Sequence, residues 1–436
     1  SGWGFVGGPG LVYTIGAGTF WMIVSTGLGF CGMFYLLGKR LRLVAEVTNP
    51  ISLPDVVTAR YDSRSTGFLT AIAILLGVLG YLGTQILAMA MVLQSILADV
   101  ASIGLLPLGA CMAISCAVLV FYCVTGGIIA SVYTDLVQGI IMVVAALLVV
   151  SATVASVDGG LEGMTRTILA DDAESMNPWG TRGIVGCLSW YFVFVFGVAG
   201  QPHLITKLMM TKKLDDARVM LPMSVGGFLL TALLWISIGL CMRTLVLQGA
   251  HPPLGEPDQA SPEFLKTYAH PVLAGVVFAG LMAAIMSTAD SFLNIGAAAV
   301  VHDIPRALRG RSLDNELLWA RVATVIIAAI ASGVALASGK MVALLGAVGW
   351  SVFSGAIVPT VAIGFNWKRA TPLACNLAIL TSLALNVGLQ VFSVTLPHLF
   401  YNGALSLLAS LTVFYVVSIV SSPPRIPPDI ETAMDL

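Results

Sequence analysis

The chain has 436 residues, 58% of them hydrophobic and 10% charged, with a mean hydropathy of +0.95 and a formal net charge of -1. That composition excludes a soluble globular protein and describes an all-α polytopic membrane protein. No basic block points to nucleic acid, and the seven cysteines lack metal spacing and read as small apolar residues.

Stretches of roughly 20 apolar residues, enough to cross a bilayer, follow one another along the chain. They cover 3–15 (a partial span), 19–38, 67–98, 105–125, 128–156, 184–210, 220–246, 272–301, 318–337, 341–365, 373–394 and 404–420. About twelve spans result, with no soluble domain between them. No cleavable signal peptide is visible. The chain opens on Ser1-Gly2-Trp3 inside a helix already under way and reads as truncated at its N-terminus. Sixteen of the 21 Lys and Arg residues fall in alternate loops, around Lys39, Lys207, Arg306, Lys368 and Arg425. Those loops face the cytoplasm by the positive-inside rule.

The first span carries Gly4, Gly7, Gly8, Pro9 and Gly10, and the sixth carries Gly197, Gly200, Gln201 and Pro202. Broken helices free backbone groups that are tolerated at membrane depth only where they line a cavity or bind something. Two such segments five spans apart point to a midplane site between inverted repeats. Ordinary proline kinks and close packing through glycine are the alternative.

Between them, the third span carries Tyr81, Gln85 and Gln94, which either face a cavity or bridge helices. The fifth adds Ser131, Thr134, Asp135 and Gln138; Asp135 is either an interfacial acid or part of a cation site. Trp3, Phe5, Trp190, Phe194, Trp350 and Phe353 are candidates for a solute pocket, and His203 for a gate. Any of these aromatic residues also fits simple packing.

The eighth span holds the densest polar feature. Ser287, Asp290, Ser291 and Asn294 recur at i, i+3, i+4 and i+7 and form one stripe on a helix, with Thr288 beside it. An ionisable group here marks an ion or solute path, and oxygen ligands without His or thiolate suit a hard cation. The alternative is that the hydroxyls bond back to their own helix and Asp290 pairs with a buried Lys or Arg.

Five stretches together resemble the sodium:solute symporter family. They are Ser1-Gly2-Trp3 with Gly7-Gly8-Pro9-Gly10, Leu53-Pro54-Asp55 with Arg60-Tyr61, Tyr133-Thr134-Asp135 with Gln138, Gly200-Gln201-Pro202-His203, and the run from Ala283 to Ser291. The resemblance implies a leucine-transporter-type five-plus-five inverted repeat with additional flanking helices. Residues 1–156 would form the first repeat, 184–365 the second, and 366–436 two further helices and a short cytoplasmic tail. It implies sodium as coupling ion, bound by a carbonyl matching Ala284 and hydroxyls matching Ser287 and Thr288. Carbonyl donors of the first helix would lie just before Ser1. A second site would use Asp135, Ser287, Asp290 and Ser291. Solute contacts would come from Ser1, Gly2, Trp3, Tyr81, Gln85, Phe194, Val198 and Gln201; Val198 stands where a second aromatic residue is expected, which counts against proline specifically.

The function expected is a symporter, in a bacterial-type inner membrane, importing an amino acid such as proline or a small carboxylate by alternating access. A solute sensor signalling through a partner is the alternative. Five scattered histidines without HExxH offer no catalytic site, no obligate protein partner is evident, and a compact polar stripe fits a closed site better than a pore.

Overall fold

The computed structural model describes residues 1–98, 106–339 and 341–435, and of 127–132 the backbone only. Ser131 and Lys340 therefore lie outside the described side chains. All described elements are helices. In order they are α1 (Gly8–Ile15), α2 (Phe20–Met33), α3 (Lys39–Thr48), α4 (Leu53–Tyr61), α5 (Arg64–Ala98) and α6 (Leu108–Ala155). Next come α7 (Gly160–Asp171), α8 (Gly183–Gly197), α9 (Pro202–Met209), α10 (Asp216–Leu247), α11 (Ala260–Thr267) and α12 (Pro271–Ala298). The last are α13 (Ile304–Arg309), α14 (Glu316–Ser338), α15 (Val342–Ile357), α16 (Pro372–Val391), α17 (Asn402–Val420) and α18 (Pro428–Asp435).

Eleven stretches are long and apolar enough to cross a membrane among the described residues. The first, Trp3–Thr48, contains the first two expected spans, so the count agrees with about twelve. The chain turns between them at Gly16, whose φ of 74° and ψ of -139° only glycine adopts without strain. A Cβ there would also lie 2.1 Å from the Ser175 carbonyl oxygen. Within α6 the Tyr122 hydroxyl hydrogen-bonds the Thr134 hydroxyl 12 residues on. On a straight helix those residues would stand about 18 Å apart, so α6 is sharply bent between them.

Burial sorts the helices. The apolar windows of α5 and of 342–363 are 72% and 83% buried, whereas those of 108–126 and 133–155 are 28% and 22%. The first two form the inside of the bundle and the last two face lipid. α12 packs against α5 and α6, and α15 against α5.

Three differences from the sequence reading have clear causes. The polar loops at 158–183 and 248–270 contain α7 and α11, short amphipathic helices that cover the ends of the bundle. The basic segment after 38 continues as α3, burying Leu41, Val44 and Ala45 on one face. The first span is distorted, not unwound: Trp3–Gly7 is a π turn leading directly into α1. Pro9 lies just past this π turn, where the helical hydrogen-bond register already shifts and the missing N–H is absorbed.

Candidate functional site

The sixth span breaks where glycine and proline predict. α8 ends in a 3-10 turn, Val198–Gly200, and Gln201 takes the extended backbone that a following proline demands. The Gln201 N–H bonds the Val198 carbonyl and so abandons that of Gly197. The Gln201 side-chain amide then donates to the Gly197 oxygen at 3.0 Å, replacing the lost bond. Gly200 permits the break to sit against α15, since a Cβ there would come within 2.9 Å of the Phe353 carbonyl oxygen.

Beside this break lies a cavity of about 200 Å³. Trp3, Phe5, Tyr81, Phe194, Trp235 and Trp350 contribute its aromatic wall, and Ser1, Thr26, His203, Thr231 and Thr288 its polar groups. No Asp, Glu, Lys or Arg lines it among the described residues. The aromatic residues brace one another: Trp3 lies 5.6 Å from Trp235 and 6.1 Å from Phe194, and Phe194 lies 5.3 Å from Trp350 between ring centroids. The Trp3 indole N–H donates to the Ala343 carbonyl at 3.0 Å, fixing the first helix to α15.

α12 brings the expected cation ligands to one point. The Ser287 and Thr288 hydroxyls both donate to the Ala284 carbonyl oxygen, at 3.1 and 3.3 Å. Three oxygens thus share one patch, and Thr288 also faces the cavity. One turn further, the Ser291 hydroxyl donates to the Ser287 carbonyl at 3.1 Å. Asp290 is 1% exposed and accepts from Asn294 at 3.0 Å, while its other oxygen, Oδ2, is buried without a hydrogen bond among the described residues. Asp135 is engaged by Lys207 of α9 at 3.0 Å, and its Oδ1 is buried without a partner among the described residues.

Of the expected solute contacts, Ser1, Trp3, Tyr81 and Phe194 line the cavity. Gln85 sits behind it, accepting the Gly2 N–H at 2.7 Å. Val198 and Gln201 are fully buried in the break itself. Trp235, Phe228, Thr231, Phe30, Thr26 and Met22 complete the lining without having been singled out in the sequence. Only their depth within apolar spans hints at them, and most apolar spans contain such residues.

The outer end of the first helix is covered by the segment before α11. Asp258 there is 4% exposed and accepts the Val342 N–H at 2.7 Å, capping α15. Its other oxygen packs where a Cβ on Gly10 would come within 2.8 Å. Burial pushes this carboxyl up to about 6, against the opposing pull of the Val342 N–H.

The sodium:solute symporter family model matches residues 1–375. An osmoregulated proline transporter of Bacillus subtilis is 26% identical over 392 residues, covering 88% of this chain and 77% of that protein. A sodium/pantothenate symporter of Escherichia coli is 26% identical over 426 residues, covering 94% of this chain and 84% of its own length. Among solved structures, an outward-open Na+-coupled sialic acid symporter superimposes with a TM-score of 0.76 at 18% identity, over 98% of this chain and 88% of the other. That likeness gives the fold: the leucine-transporter type.

Proposed function

We propose, from the premise that the chain belongs to the sodium:solute symporter family, that the cavity takes a small zwitterion of amino-acid size and that Ala284, Ser287 and Thr288 bind the driving ion. Sodium-coupled symport of a small solute is the family's activity and this chain's. The chain is a multi-pass membrane protein, and we place it in the plasma membrane with residues 1–156 and 184–365 as its two repeats.

The observation that carries the proposal is the position of Thr288. It belongs both to the oxygen patch on α12 and to the cavity wall, so ion and solute share a boundary. Sodium drawn to the patch takes lone pairs that are spare while the hydroxyls donate to Ala284. An ion there favours whichever conformation completes its shell, and only such differential binding can shift the equilibrium. Each charge crossing through 100 mV contributes about 2.3 kcal/mol before the concentration gradient is added.

The size and neutrality of the cavity support the solute class. Its volume of about 200 Å³ falls below the roughly 300–1,000 Å³ of drug-sized ligand pockets. With no charged side chain in the lining, a net anion would meet only the sodium, whereas a zwitterion sets its cationic nitrogen against aromatic faces. A proline-like amino acid meets these conditions; a small carboxylate is the second reading, in which sodium is the sole counter-charge. Equilibrium binding of proline and of acetate to the purified protein, with sodium or potassium, separates them. Sodium-dependent proline binding supports the proposal; binding of acetate alone replaces it with the second reading.

A further inference from the structure

On the face that carries the basic loops, far along the chain from the ion patch, α4 meets the end of the eighth span. There α12 passes into a π turn, Ala299–Asp303, and such bulges concentrate at functional sites. The turn presents two successive residues, His302 and Asp303, to the start of α4. Asp55, His302 and Asp303 each place one potential ligand atom within 4.8 Å of the other two.

The histidine is the informative member. Its Nε2 lies 3.1 Å from Asp55 Oδ2, and its Nδ1 lies 3.3 Å from Glu316 Oε1. Acceptor oxygens against both ring nitrogens are satisfied by a proton on each nitrogen, by a proton on one of the two carboxyls, or by an Nδ1–H donated to Glu316 with a metal between Nε2 and Asp55. The last arrangement is the one by which carboxylates orient metal-binding histidines. The remaining oxygens are held from behind. Arg306 donates to Asp55 Oδ1 at 2.9 Å, and the Ser52 hydroxyl donates to Asp303 Oδ1.

Charge points the same way. Of three carboxylates around His302, Asp55, Asp303 and Glu316, Asp55 pairs with the guanidinium of Arg306 among the described residues, and Arg64 lines the adjoining cavity. Asp303 is 5% exposed, and its one hydrogen bond among the described residues comes from neutral Ser52. Arg306 also approaches His302 Nε2 at 3.4 Å, but its side chain is 53% exposed and can swing toward water. A polar cavity of about 380 Å³, lined by Asp55, Asp303 and Arg306, opens beside the cluster and supplies the entry path.

We propose that Asp55, His302 and Asp303 form a binding site for a divalent transition-metal ion of the zinc class. One imidazole nitrogen and two carboxylate oxygens are zinc ligands, whereas magnesium and calcium take oxygen donors alone. Two ligands at zinc's bond lengths stand about 3.3–3.5 Å apart, close to the spacing His302 and Asp55 already have. The bound ion ties α4 to the helix that carries Ser287 and Thr288.

The test is calorimetric titration of the whole purified protein, stripped with chelator, using zinc, magnesium and calcium in turn. The result expected is saturable zinc binding at one site per chain, with magnesium and calcium far weaker. His302→Gln abolishes it and also lowers the metal-free melting temperature, since without metal the buried ring bridges Asp55 and Glu316. Glu316→Gln, on a side chain 44% exposed, keeps all three ligands and weakens zinc by about 10–100-fold, so it decides the matter if His302→Gln fails to fold. Absence of saturable zinc binding, or zinc binding unchanged in both variants, overturns the proposal and leaves His302 bridging its two carboxyls through protons alone.

Discussion

Lys207 places its ammonium 3.0 Å from Asp135 Oδ2 and so joins α9, the second half of the broken sixth span, to α6. Asp135 was expected to complete a second cation site with Asp290 and Ser291. A tethered cation stands there in this conformation, and the neighbouring carboxylate of Asp290 keeps one oxygen without a hydrogen bond among the described residues. Removing the tether is therefore expected to open the site to a soluble ion. Lys207→Gln should raise the Hill coefficient of sodium activation, and adding Asp135→Asn should return it to the wild-type value. Asp135 is only 20% exposed, so Lys207→Gln, which leaves its carboxylate without a cation, should lower the melting temperature, and adding Asp135→Asn should restore it. Sodium titration of uptake, with thermal unfolding as control, checks both statements.

Ser287 and Thr288 converge on one carbonyl, and each is part-buried, not sealed in the core. Replacing both by alanine removes two hydroxyls whose hydrogen bonds, among the described residues, run back to their own helix. The double variant should keep its melting temperature within a few degrees while losing sodium-stimulated uptake. Melting curves with and without sodium should then coincide.

How much of this was legible beforehand differs between the two halves of the site. The polar stripe on α12 announced itself, because Ser287, Asp290, Ser291 and Asn294 are costly in a membrane helix and share its 3.6-residue period. The Gly200-Gln201-Pro202 break was equally plain, since proline forbids the helix and glycine admits a neighbouring backbone. The cavity wall was not. Trp235 and Phe228 differ in no local respect from lipid-facing aromatics, and only the packing of α10 against the first helix turns them inward. The mild distortion of the first span was also hidden, because a π turn needs no residue that an α-helix would reject. The Lys207–Asp135 pair joins residues 72 positions apart, a distance no periodicity reaches.

Gln201 is fully buried and its amide replaces the hydrogen bond that the break removes from the Gly197 carbonyl. Gln201→Leu keeps the bulk and removes that one hydrogen bond, at a cost of about 0.5–1.5 kcal/mol. The variant should show a lower denaturation midpoint, with solute affinity less affected than by Phe194→Leu, whose ring lines the cavity. Parallel denaturation and solute-binding measurements distinguish the two roles.

Asp258 carries the pH dependence of the outer cover. Burial raises its carboxyl from the ordinary 3.8 to about 6, so the docked segment binds a proton more tightly than an undocked one. The docked state therefore gains stability as pH falls through about 6 toward 4, and loses it as pH rises through 6. Asp258→Asn keeps a side-chain oxygen for the Val342 N–H and removes the charge. Melting temperature should rise on mild acidification in the wild type relative to Asp258→Asn, with the difference confined to about pH 4–7.

The central claim is that downhill sodium drives a small zwitterion through the aromatic cavity beside Thr288. Uptake of radiolabelled proline, other neutral amino acids, acetate and pantothenate into proteoliposomes, under an inward sodium gradient with potassium as control, tests it most directly. Concentrative accumulation of a neutral amino acid with sodium alone, abolished in the Ser287→Ala/Thr288→Ala double variant, is the predicted result. Accumulation driven equally by potassium, or unchanged sodium dependence in that variant, would contradict the account.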